Sequence, residues 1–290
     1  MSEDCEAARL YKLAADQGDA FAQFNLGFFY EQGRGGLPKD DCEATRLYKL
    51  AADQGNAMGQ GNLGMFYALG RGGLPKNDRE AARLWKLAAD QGDAVPQWSL
   101  GSFYEQGRGG LAKDYREAAR LYKPAADQGN DLAHVYLGRL YALGSGGVPL
   151  DEREAVRLYK LAADQGLAEA QYELGSCYDL GIGGLPQDYR EALRLYKLAA
   201  DQGNAAAQYN LGRFHWFGLG GLPEDDREAV RLYKLAADQG SAFALYDLAS
   251  FYAQGLGGLP KNDREAARLL KLAADHGSLL AQSALTRPLW

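Results

Sequence analysis

The ten residues RLYKLAADQG stand at positions 9–18 and return unchanged at 46–55, 157–166, 194–203 and 231–240. Near-copies occupy 83–92 (RLWKLAADQG), 120–129 (RLYKPAADQG) and 268–277 (RLLKLAADHG), each copy starting 37 residues after the one before. No other feature restricts the fold so tightly. A catalytic device is needed once, whereas a packing unit that cannot bury its own apolar face is needed in every layer. The fixed period therefore overrides the one or two ordinary domains that 290 residues would suggest. It predicts one repeat domain over 1–290: a lone helix at 1–18, seven 37-residue units over 19–277, and a truncated helix with the C-terminal end at 278–290.

Each unit contains two helices. In the stretch 40–77, Asp40 lies three residues before Glu43, a variant of the capping box that starts a helix. The same spacing recurs as Asn77/Glu80, Asp114/Glu117, Asp151/Glu154, Asp188/Glu191, Asp225/Glu228 and Asn262/Glu265. Ala44, Leu47, Tyr48, Ala51 and Ala52 then form an i, i+3, i+4, i+7, i+8 stripe, and Gly55 supplies the left-handed stop. This is helix B. Asn56 caps the next helix, A, which runs through AMGQGNLGMFYAL to Gly70. Its constant positions are Ala57, Gln60, Leu63, Gly64 and Tyr67. The interior glycine recurs at 27, 101, 138, 175 and 212, with Ala249 in the seventh copy. Each such glycine costs ~1 kcal/mol relative to Ala, so a neighbouring backbone is expected to cross there too closely for a Cβ. The loop GRGGLPKD follows and reads as a plain turn, with its Leu tucked between layers and its Pro stopping helix growth.

Composition removes several functions. The chain is 47% hydrophobic and 24% charged, with a net charge of -6 and no basic stripe, which excludes a nucleic-acid or anionic-membrane surface. No apolar run approaches the ~20 residues of a spanning helix. The start, MSEDCEAARLYKL, has acids where a leader would be basic, so the chain reads as cytoplasmic, with export of a longer native product left open. Cys5 and Cys42 hold one repeat position and Cys177 replaces a core Phe, so no disulfide is expected.

The combination A-x-x-Q-x-x-L-G-x-x-Y-x-x-G on helix A and E-A-x-R-L-Y-K-L-A-A-x-Q-G on helix B resembles the Sel-one-like repeat (SLR) family, relatives of the tetratricopeptide repeat. The match runs over essentially the whole chain. The resemblance implies an all-α fold, a right-handed α-solenoid of antiparallel helix pairs, with no enzymatic activity of its own, no cofactor, and an adaptor's role in holding protein or peptide partners. A disulfide-rich bacterial branch of the family carries paired cysteines in each repeat, which this chain lacks.

Comparing the repeats with one another locates a candidate surface. With the cap of helix A counted as first, the second, fifth, eighth, ninth and twelfth positions are constant. The third, sixth, seventh, tenth, thirteenth and fourteenth change. At about 100° per residue the two sets form stripes whose centres lie roughly 130° apart. The variable stripe carries Phe21, Phe24 and Phe28, then Met58 and Met65, then Val95 and Trp98, then Val135, Tyr136 and Arg139. Tyr172, Tyr209, Arg213, Trp216, Phe217, Phe243 and Tyr246 follow. Tyr, Trp and Arg on an accessible face are common binding hot spots. By the resemblance, helix A lines a concave groove that an extended peptide or a partner helix would occupy. Two other readings stand beside this one. Sixth-position aromatics would also pack on the adjoining repeat, and an aromatic groove would also stack on carbohydrate or peptidoglycan.

Other signals carry less. GRGGLP lacks the Lys and the preceding strand of phosphate-binding loops. His134, His215 and His276 are scattered substitutions without metal-ligand spacing. Lys49 and Asp53 read as an i, i+4 pair on the outer face of helix B. Pro124 inside the fourth helix B predicts a kink, with a partner-specific site as the alternative; Pro96, in a first turn, is harmless. The first helix B has no A helix before it, and SLLAQSALTRPLW begins an eighth A helix that Pro288 would break. Those ends suggest a fragment of a longer protein or end-to-end self-association.

Overall fold

The computed structural model describes residues 3–286. The expected break at Pro288 lies outside them. Among the described residues there are sixteen α-helices and no strand, in two compact units divided after Leu150. The first holds α1 (Glu3–Asp16), α2 (Ala20–Gln32), α3 (Asp41–Asp53), α4 (Ala57–Leu69), α5 (Asp78–Ala89), α6 (Ala94–Gln106), α7 (Tyr115–Asp127) and α8 (Asp131–Leu143). The second holds α9 (Glu152–Asp164), α10 (Ala168–Leu180), α11 (Tyr189–Asp201), α12 (Ala205–Trp216), α13 (Asp226–Asp238), α14 (Ala242–Gln254), α15 (Asp263–Asp275) and α16 (Leu279–Thr286). Odd numbers are B helices, even numbers A helices.

The caps act where the sequence places them. Asp40 accepts from the amides of Cys42 and Glu43, and Asn56 from that of Gly59, satisfying amides that a helix start leaves without partners. Gly55 and Gly70 take the positive φ that ends each helix.

Within each unit every helix packs on its chain neighbours. Ala44, Tyr48 and Ala52 of α3 join Leu63 and Phe66 of α4, and Leu84 of α5 closes the same cluster. Leu121 of α7 and Leu232 of α13 close the equivalent clusters one layer on. Each hairpin thus borrows a leucine from the next B helix, which is why no single copy could fold alone. Leu10, in the same column of α1, is 52% exposed against 2% for Leu47. The loop leucines Leu37, Leu74 and Leu111 pack against successive clusters as expected.

A polar ladder runs through this apolar stack. The buried Gln60 donates to the Ala52 carbonyl at 3.4 Å and accepts from Gln91 of the next B helix at 2.9 Å. Gln23/Gln54, Gln97/Gln128, Gln171/Gln202 and Gln208/Gln239 repeat the link. The Gln of helix A and the Gln closing the decapeptide are therefore partners, the exposed second one satisfying the buried side-chain carbonyl of the first, which would otherwise cost a few kcal/mol.

Two expectations are corrected, the crossing backbone at the interior glycines and the i, i+4 pairs of the B helices. The interior glycines face an aromatic ring, not mainly a crossing backbone: a Cβ on Gly212 would stand 2.6 Å from Tyr233 Cε1, and one on Gly64 2.6 Å from Trp85 Nε1. Helix α7, with Pro124 inside it, has the same 13-residue length as its neighbours. On the outer face of the B helices the ion pairs are i, i+3 rather than i, i+4, as in Glu43–Arg46 at 2.6 Å; Lys49 and Asp53 are both exposed.

No helix among the described residues is long and apolar enough to cross a membrane. Cys5 is half-buried, Cys42 exposed and Cys177 buried, and burial pushes the Cys177 thiol up to about 12.

Candidate partner-binding surface

The A helices present the variable stripe in three grades. Third-position side chains stand out most: Phe21 is 53% exposed, Phe243 61%, and Met58 and Val95 are exposed as well. Phe217, at the end of α12, belongs with them. Phe28, Met65, Arg139, Arg213, Trp216 and Tyr246 are half-buried. Val135 belongs to the core instead, at 0% exposure.

Sixth-position rings form the third grade, and three of them lie on the next B helix. Phe24 stacks on Tyr48 at 5.9 Å, Tyr172 lies tilted on Tyr196 at 6.1 Å, and Tyr209 on Tyr233 at 5.6 Å. Trp98 packs 6.1 Å from Tyr136, whose ring is 5.8 Å from Tyr122. One face of these rings is spent on the stack, and they stay half-buried. Tyr209 also stacks on Phe243 at 5.7 Å and donates to Asp247 at 3.0 Å. Burial raises the Asp247 carboxyl above its ordinary range.

Beneath the stripe lies a second motif that the sequence reading passed over. In three layers the tyrosine of a B helix points its hydroxyl at position thirteen of the preceding A helix. Tyr48 donates to Glu31 at 2.6 Å, Tyr122 to Glu105 at 2.7 Å and Tyr196 to Asp179 at 3.2 Å. At Tyr233 that position is Trp216, and the buried hydroxyl has no acceptor among the described residues. The signal was the alternation of acid with Ala or Trp at position thirteen, which looked like surface variation. A paired buried hydroxyl contributes about 1 kcal/mol and an orphaned one costs about 1–3 kcal/mol. Tyr48→Phe should therefore lower the stability measured by urea unfolding by about 1–2 kcal/mol, and Tyr233→Phe should leave it unchanged or raise it. Equal losses in the two variants would refute the assignment.

Among the described residues no group of three or more His, Cys, Asp or Glu side chains could hold a metal ion. His134 is a buried member of the glutamine column and His215 a half-buried member of the position-twelve column, its imidazole held below its ordinary pKa by burial.

The Sel1 repeat family model matches residues 6–19, 20–56, 57–93, 97–130, 131–167, 168–204, 205–241 and 242–278. The chain belongs to the Sel1 repeat family.

Among solved structures, the chain is similar to c5321 of uropathogenic Escherichia coli, described as a protective antigen displaying an SLR fold. The two are 30% identical, with a TM-score of 0.67 over 96% of this chain and 66% of that one, so this chain spans just under two thirds of its length. It is also similar to a Sel1 repeat protein from Oxalobacter formigenes, at 34% identity and a TM-score of 0.67 over 76% of this chain and 86% of that one. Among curated protein sequences none matches. Sel1 repeat proteins generally mediate protein–protein interaction on a non-catalytic scaffold. In Sel1 terms, the constant columns of this chain are the scaffold and the variable stripe is what distinguishes one repeat from the next.

Proposed function

We propose that this Sel1 repeat chain is a non-enzymatic adaptor that binds a protein or peptide along the variable face of its A helices. One observation carries the reading: large apolar side chains stand exposed there, Phe21, Phe217 and Phe243 each more than half accessible, while the fifth, eighth and ninth columns of the same helices are buried. Exposure of this kind has an unfavourable solvation cost that a partner would remove, at roughly 25 cal/mol per Å² covered. Trp98, Tyr136, Arg139, Arg213 and Trp216 supply the residue types that dominate interface energetics. No observation favours carbohydrate over protein.

The test is a comparison of retained proteins. The parent chain and a Phe21→Ser/Phe243→Ser variant are immobilised and exposed to the same extract, with helicity checked by circular dichroism. A protein held by the parent and lost by the equally helical variant supports the reading. Identical retention by both would refute it, because the variant removes the two most exposed rings of the stripe.

A further inference from the structure

Where both halves of the tyrosine–carboxylate pair are missing, a cavity opens beside the A helix. In α4, position thirteen is Ala68, and the facing residue of α5 is Trp85, whose indole N–H turns aside to the Gly61 carbonyl at 3.0 Å. Between α4 and α6 this leaves an apolar cavity of about 460 Å³ walled by Met65, Ala68, Trp98 and Ser102. That volume is within the range of about 300–1,000 Å³ typical of ligand pockets.

The second unit repeats the experiment independently. Ala253 holds position thirteen of α14, Leu270 replaces the tyrosine in α15, and a cavity of about 390 Å³ stands at that place. The two differ in charge. Lys76 and Arg108 border the α4–α6 cavity and no carboxylate does, whereas Asp263 borders the other and no cation does. Arg108 is committed to Asp78 at 3.0 Å and lies over the Phe103 ring at 4.4 Å, so Lys76, exposed in the loop after α4, is the cation turned to solvent.

We propose that the α4–α6 cavity anchors one large apolar side chain of a bound peptide whose neighbouring residue is Asp or Glu, with Lys76 taking the carboxylate. The inference rests on the protein-binding reading above and gives it a location and a chemistry. The anchor fills the volume that a Tyr–Glu pair fills in the adjoining layers, and the acid replaces the charge which Glu31 and Glu105 provide there. The favourable terms are apolar burial in a preformed pocket and a charge pair at its rim.

A phage-displayed library of random peptides, selected on the intact chain, tests this. Selected peptides are expected to carry Trp, Phe, Leu or Met beside Asp or Glu. Two variants keep the fold while changing the site: Lys76→Glu alters an exposed loop charge, and Ala68→Trp installs the residue that α12 carries at this position. Each is expected to weaken binding of the selected peptides, measured by calorimetry, by about tenfold or more. Ala253→Trp, which fills the other cavity, should leave it unchanged. Peptides that bind the parent and both α4–α6 variants within about twofold would overturn the cavity assignment and leave the adaptor reading standing. If no peptide binds the parent, the adaptor reading falls, and the cavity assignment with it.

Discussion

Gly109→Ala is expected to destabilise the first unit by about 3 kcal/mol or more, although the substitution adds a single methyl group. Gly109 lies in the loop after α6 with φ at +66°, a conformation that costs an L-residue roughly 1–2 kcal/mol. The added Cβ would also stand 2.7 Å from the Asp78 carbonyl oxygen and 3.0 Å from the Ala82 Cβ, both in the first turns of α5. A backbone carbonyl in a helix has no rotamer to retreat into. Gly92→Ala is the control, because φ there is +93° with no atom within 4 Å of the new methyl. It should cost only the conformational part. Urea unfolding followed by circular dichroism separates the two, and similar midpoints for both variants would show that the loop is not seated against α5.

Gly212→Ala is expected to cost about 1–2 kcal/mol, despite the ~1 kcal/mol that Ala gains over Gly in a helix. The methyl group would meet Tyr233 Cε1 at 2.6 Å, and that ring is held by Tyr209 at 5.6 Å and Phe251 at 5.8 Å. Tyr233→Leu alone should lose about 2–3 kcal/mol of packing. Together the two should cost at least 1 kcal/mol less than their sum, since a branched aliphatic side chain leaves room for the methyl. The chain already contains the solution: Ala249 and Leu270 stand at these two columns and share one core cluster. Additivity within ~0.5 kcal/mol would dispose of the coupling.

The two glycine columns were not equally legible. Six interior glycines in one register announce a close approach, and the Gly/Tyr and Ala/Leu exchange even names the partner, but only coordinates show a ring there. GRGGLP looked like a turn because its function is long-range. Arg34, Arg71 and Arg108 reach back 30 residues to Asp4, Asp41 and Asp78. Nothing local distinguishes such a clasp from a solvated arginine. The variable stripe was legible as a stripe, since periodicity fixes which side chains share a face. Its division into exposed, half-buried and core members was not: Val135 and Phe21 belong to the one variable stripe and have opposite fates in the structure.

The sequence alone determined the helices, their caps, their pairing and the identity of the core columns. Each of these depends on contacts within a hairpin or with the next one, and the 37-residue period states those contacts eight times over. Tertiary structure decided which layers are filled and which are open. A cavity forms where two residues distant in the chain, Ala68 and Trp85, both fail to occupy one volume, and volume is shared between elements rather than encoded along any one of them.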